Sequence, residues 1–323
     1  MNKEEYTSEL LKRLVDSIFR HGGERLISSI ILTGSFGREE PTWSIDPEGR
    51  LVLKSDVEVS VVQKKYVKSK DVRKLIMSVR DEFPEDLNLM SFNESRLRNA
   101  SNFNYSICKQ RHKTLFTFDL FNGSKTIWGI DYLGNHRITI DDVDPYEAKR
   151  LVANRIGEYA FLTHNNNNDI YVRKQWKGKI VLAICSACLL LNKLYVSSYH
   201  GQKEVFLAHP ELALKLGDNF IQDYNSTFSF LRDGGESFEV DDTNLREYVE
   251  NINKEFKGVQ LETPRVNNLM RLIKDSIKYL KTGCKYGITG FENKILSSLL
   301  DAFERGDKDS LNKTALVWHN CIY

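Results

Sequence analysis

The hydrophobic period of this chain changes once, near Pro145. Before that point, runs of period two alternate with runs of period 3.6. After it, nearly every apolar pattern has the helical period. The first half must therefore pair a sheet with helices, and the second half must be a helical partner. No internal repeat offers another solution. Leu10, Leu11, Leu14, Val15 and Ile18 place an amphipathic helix over 4–21, ended by Gly22-Gly23. Residues 25–33 read as a buried strand and Val52 to Val62 as a second, with a turn at Asp46-Pro47-Glu48-Gly49 between them. A helix follows over 69–83, capped by Ser69 or Asp71. Leu87 to Phe92 and the Phe-rich Leu115 to Phe121 read as further strands. Beyond Pro145, helices are expected over 145–163, 170–196, 264–282 and 291–304, with Asn165 to Asn168 as a polar loop. The expected division is an α/β (α+β) domain over 1–144 and an all-helical domain over 145–323. The length of 323 residues agrees, at about 150 residues per domain.

Charge says little at the level of the whole chain. There are 46 basic and 44 acidic side chains, a formal net charge of +2. That balance announces neither a nucleic acid nor a membrane, though a local basic groove can hide within it. Charges recur through the first 23 residues, so they make no signal peptide. The longest apolar run, Ile180 to Leu191, is shorter than the ~20 residues a spanning helix needs. A cytoplasmic protein without a membrane partner is expected. Cys185 and Cys188 form a C-x-x-C inside that apolar run, with no second pair, so core packing outweighs zinc or redox chemistry. The histidines show no ligand spacing, and neither a Walker A motif nor a G-x-S-x-G elbow occurs.

Chemistry concentrates in Thr33-Gly34-Ser35-Phe36-Gly37-Arg38-Glu39-Glu40, which follows the β-branched strand. A Gly-Ser turn lets the backbone approach an anion, and a helix starting there would aim its free N–H groups at a phosphate. Ser35 adds a hydroxyl and Arg38 a charge-assisted contact. On its own this is a weak signal, since Gly-Ser turns are common.

Asp56 and Glu58 strengthen it. In a strand, residues two apart share a face, so both carboxylates point one way while Val57, Val59 and Val61 point to the core. Two such acids repel and call for a counter-charge, which a divalent metal supplies; a solvated strand edge is the plainer alternative. A third acid, Asp119, lies in the aromatic run Leu115 to Phe121, where burial is costly unless the group is paired or metal-bound. An Asp at a strand end, satisfied by the turn amides of Asn122-Gly123, explains it equally well.

The order strand, Gly34-Ser35, short helix, Asp56-x-Glu58, then Asp119 resembles the DNA polymerase β-like nucleotidyltransferase superfamily. TGSFGREE followed by SDVEVSVV is most similar to the variants found beside bacterial polysaccharide genes, and DLFNGSKTIWG resembles their strand-turn-strand ending in Gly129. The likeness covers roughly residues 25–130, and the helical remainder fits only by class. Two positions depart from the pattern. Glu58 stands where Asp is commoner, and Glu39 where Gly is often found.

The resemblance implies a mixed-sheet catalytic domain that moves a nucleoside monophosphate from an NTP, ATP among them, to an acceptor hydroxyl with release of pyrophosphate. Mg²⁺ or Mn²⁺ would be held by Asp56, Glu58 and Asp119, and the protein would position the reactants and stabilise charge. Gly34 and Ser35 would hold the β- and γ-phosphates. The basic start of the long helix, Arg173, Lys174, Lys177 and Lys179, faces either the cleft or solvent. From that region Lys177, Lys193 and Tyr195 are expected near the nucleotide. The acceptor is a small molecule, a nucleotide, a protein or an RNA end. The alternative is a catalytically weak nucleotide-binding regulator, or a toxin/antitoxin-type module, on the same fold.

Overall fold

The computed structural model describes residues 2–94 apart from 47 and 84, together with 97, 113–134, 138–165, 170–233, 235, 238–258 and 291–322. The helix expected over 264–282, residues 166–168 of the expected loop, Cys108 and Cys284 lie outside these.

The first half is built on a four-stranded mixed sheet. Its strands are β1 (Ile27–Leu32), β4 (Val57–Gln63), β5 (Leu87–Asn93) and β6 (Lys125–Gly129), in the order β5-β4-β1-β6. β1 lies antiparallel to both β4 and β6, and β4 lies parallel to β5. The parallel pair requires a crossover, which α4 (Ser69–Arg80) supplies. The stretch read as one strand over 52–62 is two. β2 (Trp43–Ile45) and β3 (Leu51–Leu53) form a small hairpin, and the chain leaves it before β4 begins.

One face of the sheet packs on α1 (Lys3–Arg20) and α4. Leu10, Leu14 and Ile18 meet Ile30, Val57, Val59, Val61, Val72, Leu75 and Val79 there, all nearly fully buried. α1 starts on a reciprocal cap, in which Asn2 accepts from the Glu5 amide and Glu5 accepts from the Asn2 amide. The opposite face carries Ile31, Val62 and Phe92 into a second cluster that runs on into the helices beyond residue 145.

The helical half is organised around α7 (Ile170–Leu191). Its residues Ile180 to Leu190 are all buried, which explains an apolar run too short for a membrane. Each buried Ile, Val or Leu among them stabilises the core by about 1.5–3 kcal/mol. α6 (Tyr146–Asn165) packs along α7 and against the last helix, α13 (Lys308–Ile322), where Trp318 donates to Asn154 at 2.9 Å. Cys185 and Cys188 sit in this core. Burial pushes both thiols up, Cys188 to about 12, so neither is a thiolate near neutrality. No helix among the described residues is long and apolar enough to cross a membrane.

The clearest departure from the sequence reading is Leu115–Asn122. It is a helix, α5, not a strand. Thr114 caps it by accepting from the Thr117 amide at 3.1 Å. The run is apolar almost all round because the helix is buried on most sides, with Leu115, Phe118, Leu120 and Phe121 all in the core. Asp119 is therefore on a helix, and the strand of that region is β6, which follows it.

Candidate functional site

The antiparallel register brings the two halves of the motif together. Leu32, the last residue of β1, pairs with Val59, so Thr33 stands beside Glu58 and its amide donates to the Glu58 carbonyl at 2.9 Å. The chain then turns through Gly34, whose φ is +61°. A Cβ at Gly34 would lie 1.7 Å from Glu58 Oε2. Only glycine allows both the left-handed backbone and this approach, so the Gly-Ser turn and the acid pair meet at one end of the sheet. The helix after the turn is a single turn, Gly34–Gly37 (α3). Charge facing the turn thus comes from Arg38 and not from an extended helix dipole.

Gly37 permits a second close approach. A Cβ there would be 2.6 Å from the Leu32 carbonyl and 2.7 Å from that of Gly123, at the end of α5. This packs the motif against α5 and sets Arg38 near Asp119. Ser35 is buried, and its Oγ has no hydrogen-bond partner among the described residues.

The carboxylates differ in environment. Asp56 precedes β4 and is exposed. Glu58 is half-buried, and its pKa is raised by burial and then by Asp56, against the pull of Arg38 and Arg155. Asp119 is pushed up to about 6 by burial, while Arg38, Ser197 and Tyr195 pull the other way. Tyr195 donates to Asp119, with its Oη 3.1 Å from each carboxylate oxygen. Asp119 is close enough for Glu58 to feel its charge, more weakly than that of Asp56. Among the described residues, however, no three His, Cys, Asp or Glu side chains come together as a metal-binding group. Glu58 is coupled most to Asp56 among the acids, while Asp119 is bound by Tyr195.

The cations come from both halves. The Arg38 guanidinium lies 5.0 Å from the Tyr199 ring centroid, and that of Arg232 lies 3.7 Å from the same ring. Burial alone would lower Arg38, but Tyr199, Asp119, Tyr195 and Glu40 outweigh it and hold the guanidinium above its ordinary pKa. Burial would likewise raise Tyr199, but Arg232, Arg38 and Arg155 bring it below the usual phenol value. Lys179 is lowered to about 8 by burial and by Arg155, and it is attracted by Glu158 and Asp56.

Glu40 fastens this assembly. It accepts from Ser198 Oγ at 2.7 Å, the Tyr199 amide at 2.9 Å and the His200 amide at 2.9 Å. A carboxylate from the Gly-Ser loop thus caps α8 (Tyr199–Ala208) of the helical half.

Of the residues expected at the site, Gly34, Ser35, Arg38, Asp56, Glu58 and Asp119 gather here. The structure does not bring Lys177 or Lys193 to them. Lys177 Nζ pairs with Asp242 at 2.5 Å and donates to the Val240 carbonyl at 3.3 Å. Lys193 donates to the Ile140 and Val143 carbonyls at 3.4 and 3.2 Å. Lys179, two residues along and so on the other side of the helix, has its ammonium 3.9 Å from the Trp176 ring centroid and feels the Asp56 charge. Glu40, Arg155, Tyr199 and Arg232 were not foreseen, and only Glu40, adjoining the motif, carried a signal. Comparison with family models, with curated proteins and with solved structures gave no match to this chain.

Proposed function

We propose that the chain is a metal-dependent nucleotidyltransferase that moves a nucleoside monophosphate from an NTP to an acceptor hydroxyl. One observation carries this reading: Glu58 stands against the left-handed Gly34 of the Gly-Ser turn, close enough to feel both the Asp56 carboxylate and the Arg38 guanidinium. The donor set fits a divalent cation in one respect. The Asp56 charge adds to the cost of ionising Glu58, and a cation between them would relieve it. Mg²⁺ also prefers a few carboxylates, with phosphate and water completing its shell. Asp56 and Glu58 would hold it, and when bound it would neutralise phosphate oxygens.

The chain's own residues would do the rest. Arg38 and Lys179 would bind the triphosphate by charge, with the Ser35 hydroxyl as a further donor. Asp119, at about 6, has the basicity to accept the proton of an acceptor hydroxyl near neutral pH. The acceptor oxygen would bond to the α-phosphorus, the α–β bridge would break, and pyrophosphate would leave with the bridging electron pair. The reading predicts pyrophosphate release from wild type with Mg²⁺ or Mn²⁺ and at least one NTP, and none from Asp56→Ala. Because Asp56 is exposed, that variant should fold.

One observation favours a second reading, a nucleotide-binding regulator or toxin/antitoxin-type module with little turnover. Both oxygens of Asp119 are engaged by Tyr195. In that case nucleotide with metal would raise the melting temperature through binding linkage, with no pyrophosphate released.

A further inference from the structure

A local basic face, hidden by the even charge balance, lies outside the site just described. Residues 64–80 carry seven basic side chains and one acid, Asp71, in a chain whose total is only +2. The rest of the molecule is therefore net negative, and this segment is its positive pole. α4 arranges the charges. Lys70, Arg73, Lys74 and Arg80 fall on one side of the helix and are exposed, while Val72, Leu75 and Val79 on the other side are buried in the core. Lys65 and Lys68, both exposed, precede the helix. Among the described residues none of these six is in an ion pair; Lys64 is spent on the Glu24 carbonyl at 2.6 Å.

Like charges along one helix side repel one another, and of the six only Arg80, in the last turn of α4, is set to complement the helix dipole. Tyr66 stands among them at 89% exposure, with the Lys65 ammonium 5.2 Å from its ring centroid. A flat aromatic face in water beside cations is a surface on which a base can stack. A bilayer is a poorer match, since the apolar side of α4 is already in the core and has nothing to insert.

We propose that this face binds single-stranded nucleic acid, with Lys65, Lys68, Lys70, Arg73, Lys74 and Arg80 along the phosphates and Tyr66 under a base. The helix is about 18 Å long. It runs back toward the end of the sheet where Leu87 pairs with Val57, next to Asp56. The helix packs on the face of the sheet that carries Val57, Val59 and Val61, opposite the face to which Glu58 points. The proposal stands independently of nucleotidyl transfer and holds for a protein without turnover.

Fluorescence anisotropy of a labelled single-stranded RNA about 20 nucleotides long, titrated with the full chain, tests it. Affinity should fall steeply between about 50 and 200 mM salt. The triple variant Lys70→Glu/Arg73→Glu/Lys74→Glu should bind at least about tenfold more weakly, with a log–log salt slope shallower by about 2. Tyr66→Ala should weaken binding with the slope unchanged. A control of equal charge on the distal helices, Lys294→Glu/Lys308→Glu/Lys313→Glu, should bind nearly as wild type. All of these positions are exposed, and unchanged melting temperatures confirm folding. No salt-dependent binding by wild type, equal loss in the control triple, or binding of phosphatidylserine vesicles but not RNA would each overturn the proposal.

Discussion

Gly34→Ala is the most demanding perturbation the structure offers. Alanine would keep a left-handed φ of +61°, which costs an L-residue about 1–2 kcal/mol. Its Cβ would also sit 1.7 Å from Glu58 Oε2, 2.7 Å from Cδ and 3.2 Å from Cβ. The carboxylate can swing away, but the nearer part of the side chain must follow it off its rotamer, at about 1 kcal/mol. Chemical denaturation should therefore show a loss of about 2–3 kcal/mol, the sum of these two costs. Truncating Glu58 to alanine removes the clash and leaves the backbone strain. In the double variant Gly34→Ala/Glu58→Ala, the glycine substitution should cost only about 1–2 kcal/mol, a coupling of about 1 kcal/mol. Turnover should suffer more than stability, since a catalytic group displaced by an ångström costs about a hundredfold. A coupling of zero, or a stable Gly34→Ala with unchanged turnover, would refute the contact as the organising feature of the site.

Other expectations follow from single contacts. Glu39 has a φ of +62° and an exposed side chain whose partner is Lys125 at 3.1 Å, so Glu39→Gly should stabilise by up to about 1 kcal/mol in denaturant melts. Glu40→Ala strips three donors of their acceptor at the start of α8 and should cost about 2–3 kcal/mol, with Glu40→Gln recovering part of it. Asp119 has a folded pKa of about 6 against 3.8 unfolded, so the folded state holds the extra proton between them. Its contribution to stability is present at low pH and is lost as pH rises from about 4 to 6, a dependence that Asp119→Asn should remove. Lys179 runs the other way. Lowered to about 8 from 10.5, it makes stability rise with pH across that window, and Lys179→Gln should flatten the rise.

The legible parts of this fold were those with a clear period. The helix over 4–21, the strand at 87–93 and the crossover helix between β4 and β5 each have one buried face, and the central strand at 27–32 is buried on both, as its uncharged, Ile-rich run says. LFTFDLF was misread because a helix buried on most sides loses its polar stripe, and a short apolar run with four aromatic or β-branched residues then passes for a strand. Its cap, Thr114, was the signal passed over. The two ends of the acid pair were legible for the opposite reason, since glycine after a strand and alternating acids on the next report backbone geometry directly. The lysines were harder. Lys177 and Lys179 look alike in sequence, and only the packing of α7 decides which faces Asp242 and which the cleft. Arg155, Tyr199 and Arg232 come from three separate segments of the helical half, and no spacing rule links them to Gly34.

The central claim is that the Gly34–Glu58 contact organises a nucleotidyl-transfer site. Pyrophosphate release from each of the four common NTPs, measured with Mg²⁺ and Mn²⁺ for wild type, Asp56→Ala and Glu58→Ala in the presence of cell extract as a source of acceptor, tests it most directly. The account predicts release by wild type with at least one nucleotide and a loss of at least about a hundredfold in both variants. Equal release by all three proteins, or none by wild type, would contradict it.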